Sequence, residues 1–407
     1  MPKITKDENL IEKFLTRGVE NIYPSPKFLE DKLKADEKIS IYLGIDPTGP
    51  TLHLGHAITL MKLKEWQELG HQVILLIGSF TGMIGDPTDK LAVRKPLTRK
   101  QVLDNAKKYQ EQASLFLDFS GKNKAKVVFN HEWLDKLSFK DIIELASKFT
   151  VQRMLERDMF EKRMKEGKPI HLHEFLYPLM QGYDSVAMDI DGEVGGNDQT
   201  FNMLAGRDLM KSMKNKEKFV ITMKLLTDPS GEKMGKTSGN MITLEDSAED
   251  IYGKAMSYPD SVITVGLELL TDISKEVIEN IAKSLKDGEN PMNYKKMMAF
   301  EIVKTIKGKV EAQTAQKHFE STVQKKETPE SIKNYELKIT NINIVDLLVK
   351  TDLASSKSEA RRLIEQGGIK VAGDVVKSIE KEVKITKEEL LLQRGKRQFA
   401  KVKNKSK

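Results

Sequence analysis

Between Ile39 and Gly78 the chain changes its hydrophobic period twice, and no other stretch constrains the fold as much. Ile39-Ser40-Ile41-Tyr42-Leu43-Gly44-Ile45 reads as a strand, broken by Asp46-Pro47-Thr48-Gly49-Pro50. From His56 to Leu69, apolar Ile58, Met61, Leu63, Trp66 and Leu69 recur at roughly helical spacing. Gly70 ends that helix, and Val73-Ile74-Leu75-Leu76-Ile77-Gly78 follows with no polar interruption. A strand with no polar face is covered on both sides, as in a parallel sheet flanked by helices. Joining such strands requires a right-handed crossover. Further strand candidates are Ala125–Phe129 and Phe219–Leu225, with helical stretches between them. The pattern predicts a Rossmann-like, doubly wound α/β domain, whose ligands bind beyond the carboxyl ends of its strands.

At 407 residues the chain exceeds one ordinary core. After Lys233–Thr237 the texture becomes helical, from about Ser247 to Lys325, with no strand pattern. Lys325-Lys326-Glu327-Thr328-Pro329-Glu330 reads as a linker, and a last compact unit begins near Asn341. This gives three expected domains: an α/β domain over 1–240, an α-helical one over 241–335 and a small α+β one over 341–407. Charge separates the last from the rest. Residues 341–407 hold 16 basic and 9 acidic side chains, a net of +7, equal to the net charge of the whole chain. A neutral body with a basic appendage suggests a polyanionic partner.

With no cysteine, disulfides, thiol nucleophiles and thiolate zinc sites are excluded. No apolar run approaches the roughly 18 residues of a membrane span, and the opening MPKITKDENLIEKF lacks the apolar core of a secretory signal. A cytoplasmic protein without membrane attachment is expected.

Two clusters carry chemistry. Asp46-Pro47-Thr48-Gly49-Pro50-Thr51-Leu52-His53-Leu54-Gly55-His56 lies at the strand-to-helix turn, where exposed N–H groups and the helix dipole favour an anion. Gly55 leaves room for a ligand, and His53 and His56 can donate to phosphate oxygens. The second cluster is Gly231-Glu232-Lys233-Met234-Gly235-Lys236-Thr237-Ser238-Gly239-Asn240, two lysines three apart between glycines. Such a loop can close on phosphates as charge builds on a leaving pyrophosphate. Alone, either cluster would read as a polar turn.

Together, His53-Leu54-Gly55-His56 and Lys233-Met234-Gly235-Lys236-Thr237 resemble the paired HIGH and KMSKS signatures of class I aminoacyl-tRNA synthetases. Tyr42-Leu43-Gly44-Ile45-Asp46-Pro47-Thr48, Tyr177-Pro178-Leu179-Met180-Gln181-Gly182-Tyr183-Asp184 and Gly195-Gly196-Asn197-Asp198-Gln199 resemble motifs of that family's bacterial-type tyrosyl branch. With Thr81-Gly82-Met83-Ile84-Gly85-Asp86-Pro87, the resemblance runs from about Ser40 to Asn240. It implies attack of an amino-acid carboxylate on the α-phosphate of ATP, then transfer of the acyl group to a tRNA 3′ end. Positioning and charge stabilisation would do the work. The resemblance places Tyr42 and Asp184 on the phenolic hydroxyl of L-tyrosine, Asp86, Tyr177 and Gln181 on its ammonium, and Gln199 on its carboxylate. Thr48 and His53 match residues that meet the γ-phosphate, while Gly55 and His56 match residues against the nucleotide. Asp46, Asp198 and Met234 would serve the adenylate. Lys90 and Arg94 would join Lys233 and Lys236 around pyrophosphate, with Arg99 or Arg157 as alternatives. Spacing supports one part independently: Tyr177, Gln181 and Asp184 fall at i, i+4 and i+7, one face of a helix. Mg²⁺ would arrive with ATP, with no zinc and no dedicated metal site.

At the basic end, Ser356 or Ser358 can cap a helix carrying Glu359, Ala360, Arg361 and Arg362, which Gly367-Gly368 would end. Ile369–Val371 and Val375-Val376 flank a hairpin turn. The two helices and hairpin resemble the alpha-L RNA-binding module. That resemblance sets Lys357, Arg361, Arg362, Arg394, Lys396 and Arg397 toward RNA phosphates of a tRNA(Tyr), read by shape and backbone. The family also implies a homodimer joined through roughly Phe129–Phe160. Rival readings are a tryptophanyl member, a small nucleotidyltransferase, or a synthetase-derived RNA-binding protein.

Overall fold

The computed structural model describes residues 4–86, 96–228, 230–231, 233–234, 241–324, 332–395 and 398–405. The chain divides into two compact units, residues 1–246 with 258–294, and residues 247–257 with 295–407.

The first unit is built on six strands: β1 (Val19–Tyr23), β2 (Ser40–Ile45), β3 (Gln72–Ile77), β4 (Lys126–Phe129), β5 (Gly192–Gly196) and β6 (Phe219–Met223). Their order in the sheet is β1-β6-β5-β2-β3-β4, parallel throughout except for the edge strand β1. From β2 the chain winds outward through β3 to β4, then returns to the other side of β2 for β5 and β6. The winding reverses between β2 and β5, the switch point at which an open α/β sheet forms its ligand crevice. These two strands pair only at Ile41 with Gly192 and Tyr42 with Glu193. Beyond those pairs β2 and β5 run on toward their carboxyl ends without pairing each other.

The helix Leu54–Glu68 follows β2, starting two residues earlier than its apolar spacing suggested because His53 caps it. It buries Leu54, Ala57, Ile58, Leu60, Leu63 and Trp66. β3 is buried from Val73 to Ile77, as its unbroken apolar run required. The helices Leu172–Met188 and Thr200–Lys214 pack closely where Gly182 meets Gly206: a Cβ on Gly182 would stand 3.2 Å from the Gly206 amide nitrogen.

In the second unit the described residues up to Gln324 are helical, including Ala248–Ala255 and Lys309–Phe319. Beyond them lie a five-stranded and a two-stranded sheet with the helices Ile344–Lys350 and Lys357–Glu365. Ile344, Leu347, Leu348, Ala360, Ile364, Ile369 and Leu392 share its core. Ser356, rather than Ser358, caps the second helix by accepting from the Glu359 amide at 3.2 Å. The hairpin pairs Asp374 with Val371 and Val375 with Lys370. The linker expected over Lys325–Glu330 lies outside the described residues. No helix among the described residues is long and apolar enough to cross a membrane.

Candidate active site

The turn after β2 folds back on the helix it starts. His53 Nδ1 accepts from the Gly55 amide at 3.1 Å, and His56 Nδ1 accepts from the His53 amide at 3.2 Å. The two rings lie 3.9 Å apart. Because Nδ1 accepts in both, each neutral imidazole keeps its proton on Nε2. Burial lowers the pKa of both, His56 to about 3 with the neighbouring His53 adding to the effect. Both are therefore neutral donors at physiological pH, beside an exposed Gly55 and an exposed Thr48. Donor groups at a helix amino terminus suit a phosphate.

Asp46 ends β2 with both oxygens engaged: Oδ1 accepts from Thr81 Oγ1 at 2.6 Å and Oδ2 from the Tyr177 hydroxyl at 2.7 Å. Gly78 makes this possible, since a Cβ there would stand 1.9 Å from Asp46 Oδ1. The same Thr81 hydroxyl accepts from Asn130 Nδ2 at 3.0 Å, and Asn130 also reaches Asp184 Oδ2 at 3.3 Å. Trp133 Nε1 donates to Asp184 Oδ1 at 2.7 Å. Asp184, Asn130, Thr81, Asp46 and Tyr177 thus form one continuous hydrogen-bonded web across the sheet end. Asp184 is 2% exposed, and burial raises its pKa well above the usual range while Trp133 and Asn130 pull it down. Tyr42 is fully buried beside it, its hydroxyl 3.1 Å from Ser185 Oγ and 3.5 Å from the Gln181 carbonyl. Burial raises the pKa of both Tyr42 and Tyr177, so both hydroxyls stay protonated.

Tyr177, Gln181 and Asp184 lie on the single helix Leu172–Met188, as their spacing suggested. Gln181 Nε2 donates to Glu193 Oε1 at 2.9 Å. Asp86 is half-buried, taking Arg157 on Oδ1 at 2.7 Å and Gln199 on Oδ2 at 3.1 Å. Arg99 forms a two-pronged pair with Asp135. Neither arginine offered as an alternative clamp is thus free of a carboxylate. Asp198 is ion-paired with Lys233, whose strand-like contact to Thr227 and whose neighbour's bond, Met234 N to Leu226 O at 2.8 Å, anchor the base of the second lysine loop. Lys90, Arg94 and Lys236 lie outside the described residues. So do Lys396 and Arg397 in the second unit.

In that unit Arg361 and Arg362 are exposed. Lys357 pairs with Asp346 at 2.7 Å, and Arg394 is held inside, donating to the Leu353 carbonyl and to Glu359, each at 2.8 Å. The last contact gives Arg394 a bracing role within the fold.

The motifs missed several members of the web. Trp133 and Asn130 hold Asp184, and Ser185, Glu193 and Lys218 lie behind Tyr42 and Gln181. Only Asn130 carried a signal, as a polar residue at the carboxyl end of a strand.

The arrangement offers neutral donors and a lysine at one end and, at the other, a dry acceptor-only carboxylate among hydroxyls. The family described as tRNA synthetases class I (W and Y) matches residues 34–324, and the tyrosine–tRNA ligase SYY-like C-terminal domain matches residues 324–402. A tyrosine–tRNA ligase of Thermotoga maritima is 46% identical over 395 residues, covering 96% of each chain. One of Aquifex aeolicus is 42% identical over 400 residues, covering 98% of this chain and 99% of its own. Among solved structures, a C-terminally truncated mitochondrial tyrosyl-tRNA synthetase of Aspergillus nidulans superposes with a TM-score of 0.62 at 23% identity, over 76% of this chain and 92% of that one. The tyrosyl-tRNA synthetase of Archaeoglobus fulgidus complexed with L-tyrosine gives 0.58 at 20% identity, over 76% and 99%. At such identities the two structures speak for the fold.

Proposed function

The chain belongs to the class I tRNA synthetases of the tryptophan and tyrosine branch, and from that membership we propose that it activates L-tyrosine with ATP and charges tRNA(Tyr) with it. A tyrosine carboxylate oxygen bonds to the α-phosphorus as the bond to the pyrophosphate leaving group breaks. The tRNA 3′ ribose hydroxyl then attacks the carbonyl and AMP departs. Thr48, the Nε2 protons of His53 and His56, and Lys233 with Lys236 stabilise the phosphates, Lys90 and Arg94 assisting. Asp46, Gly55, Asp198 and Met234 line the nucleotide. Asp86, Tyr177 and Gln181 receive the substrate ammonium, and Gln199 the carboxylate. Mg²⁺ enters with ATP as part of the substrate. Asp86 exchanges its Arg157 and Gln199 contacts in part for that ammonium, and Lys233 exchanges Asp198 for phosphate.

The observation that favours tyrosine is the buried carboxylate of Asp184, held by Trp133 and Asn130 beside the Tyr42 hydroxyl. A phenolic hydroxyl gives the carboxylate a further donor, whereas a phenyl ring leaves it one donor short in a buried site. ATP–pyrophosphate exchange with each of the twenty amino acids tests this: tyrosine should support it. Exchange with tryptophan alone, or with none, would overturn the reading.

Residues 1–240 act as the catalytic domain, 241–335 meets the anticodon arm and 341–407 grips the tRNA backbone, with Arg361 and Arg362 outward. The protein works as a cytoplasmic homodimer. Supporting the dimer, Phe139 and Ile143 expose 78% and 54% of their surface one helical turn apart, with Val151 at 64%. Sedimentation should show twice the 46.2 kDa chain.

A further inference from the structure

Behind the amino-acid end lies a buried set of charged side chains that the reaction above does not use. Lys218, immediately before β6, is fully buried. Its ammonium donates to Ser185 Oγ at 2.7 Å, to the Met203 carbonyl at 3.3 Å and to the Glu193 carboxylate, itself 2% exposed. Glu193 in turn accepts from Gln181 Nε2. Space for the ammonium comes from Gly206, where a Cβ would stand 2.6 Å from Lys218 Nζ and 2.9 Å from Ser185 Oγ.

Counting protons fixes the direction of the ammonium's bonds. An ammonium carries three donors and no acceptor, and all three are committed. Ser185 Oγ accepts one of them, keeps its own proton and a second lone pair, and shares a hydrogen bond with the Tyr42 hydroxyl 3.1 Å away. The Glu193 carboxylate also acts on the Tyr42 hydroxyl by charge and hydrogen bonding, and the Gln181 carbonyl at 3.5 Å lies at the limit of hydrogen bonding. Lys218 thus anchors both polar side chains, Ser185 and Glu193, that engage this hydroxyl.

We propose that Lys218 is a positioning residue for amino-acid selection: through Ser185 and Glu193 it fixes the Tyr42 hydroxyl that meets the substrate's phenolic oxygen, and through Glu193 it also fixes the Gln181 amide. The substrate hydroxyl then meets a fixed Tyr42 hydroxyl on one side and donates to Asp184 on the other. The inference rests on the tyrosine reading and assigns it a device one layer behind the residues that touch substrate. Burial lowers the Lys218 pKa, and the Glu193 carboxylate opposes that shift.

Ser185→Ala cuts the relay and leaves the Lys218–Glu193 pair intact. Lys218→Met combined with Glu193→Gln removes the pair without stranding a buried charge. Thermal melting establishes that each variant folds, and pyrophosphate exchange is then measured with tyrosine and phenylalanine at varied ATP. Ser185→Ala should raise the KM for tyrosine about tenfold, the worth of one well-placed hydrogen bond. The KM for ATP should stay unchanged and the tyrosine-to-phenylalanine ratio fall by the same factor. The double variant should do likewise if Ser185→Ala folds and it folds too. A folded Ser185→Ala protein with tyrosine KM and ratio within twofold of the parent would overturn the proposal, as would equal losses for both amino acids, which would indicate simple loosening. A parent protein with no tyrosine-dependent exchange would overturn the tyrosine reading itself and this proposal with it.

Discussion

Replacing Trp133 by Phe should cripple tyrosine recognition while leaving nucleotide binding intact. The indole nitrogen donates to Asp184 Oδ1 at 2.7 Å, and the carboxylate it serves is 2% exposed. Phenylalanine keeps most of the ring that packs against the Tyr42, Ile74, Leu76 and Ile190 cluster, so the change removes chiefly the N–H. A hydrogen bond to a buried charge is worth about 1.5–3 kcal/mol, and about 1.4 kcal/mol is tenfold. The tyrosine kcat/KM should therefore fall roughly 10- to 100-fold near neutral pH. The direction of the pH effect follows from the site. Burial already raises the Asp184 pKa, and Trp133 is the larger of the two donors opposing it. Losing that donor raises the pKa further, so the acid limb of the tyrosine kcat/KM profile should move to higher pH. Phenylalanine makes no use of the carboxylate as acceptor, and its slow exchange should keep its profile. Pyrophosphate exchange from pH 6 to 9 with both amino acids would decide the matter. A variant with tyrosine kcat/KM within twofold of the parent and an unmoved acid limb would refute the claim that Trp133 holds the selecting carboxylate.

Three other outcomes follow from the same geometry. His56→Ala should lower exchange by roughly 10²–10³ if its Nε2 proton stabilises developing phosphate charge; His56→Asn should recover part of the loss. With a His56 pKa of about 3, no limb between pH 6 and 8 should trace to it. Arg361→Ala with Arg362→Ala should spare adenylate formation yet weaken tRNA charging and flatten the salt dependence of tRNA binding by one to two units of log–log slope, roughly. Equal loss in both assays would remove the separate RNA-reading role. For stability, His71 is fully buried, and burial lowers its pKa from 6.5 to about 4. The unfolded chain then takes up the proton first, so stability from this group is whole above pH 6.5 and drains as pH falls toward 4, about 3 kcal/mol in all. Denaturant titrations at pH 7 and 5 should show less pH dependence in His71→Gln than in the parent; equal dependence would mean that His71 does not carry the slope.

The strands β2, β3, β4 and β6 and the residues at the strand ends were legible because each leaves a periodic or positional trace, whereas β5, and with it the switch point, is too rich in glycine to show one. β3 shows no polar residue because both its faces are covered. His53 and His56 stand out because a helix start just after a strand must offer donors. Tyr177, Gln181 and Asp184 align at helical spacing because one face meets the ligand. The bonding around them left no such trace. Arg157 was legible only as an alternative phosphate clamp; it lies between the helices Val151–Leu155 and Asp158–Lys165, and only the folded chain brings it to Asp86. Trp133 could have been read as core, and its indole proton on Asp184 depends on how β4 and the helix Leu172–Met188 meet.

Lys218 shows why this second layer escapes pattern reading. It ends a stretch in which Lys214 and Lys216 come first, and a run of lysines reads as a solvated turn. Lys214 is exposed and Lys216 half-buried, as that reading requires, but Lys218 is wholly buried. The difference lies elsewhere in the sequence, in a helical glycine at 206 that leaves room for an ammonium and in a serine and a glutamate placed to accept from it. Neither Gly206 nor Lys218 signals anything alone, and their pairing exists only after the helix Thr200–Lys214 has packed over the sheet. Groups that touch a ligand lie at strand ends, at helix starts or along one face of a helix, where motifs form. Groups that hold those contacts in place need only a cavity of the right polarity one layer deeper, and a cavity belongs to the fold rather than to any one stretch of chain.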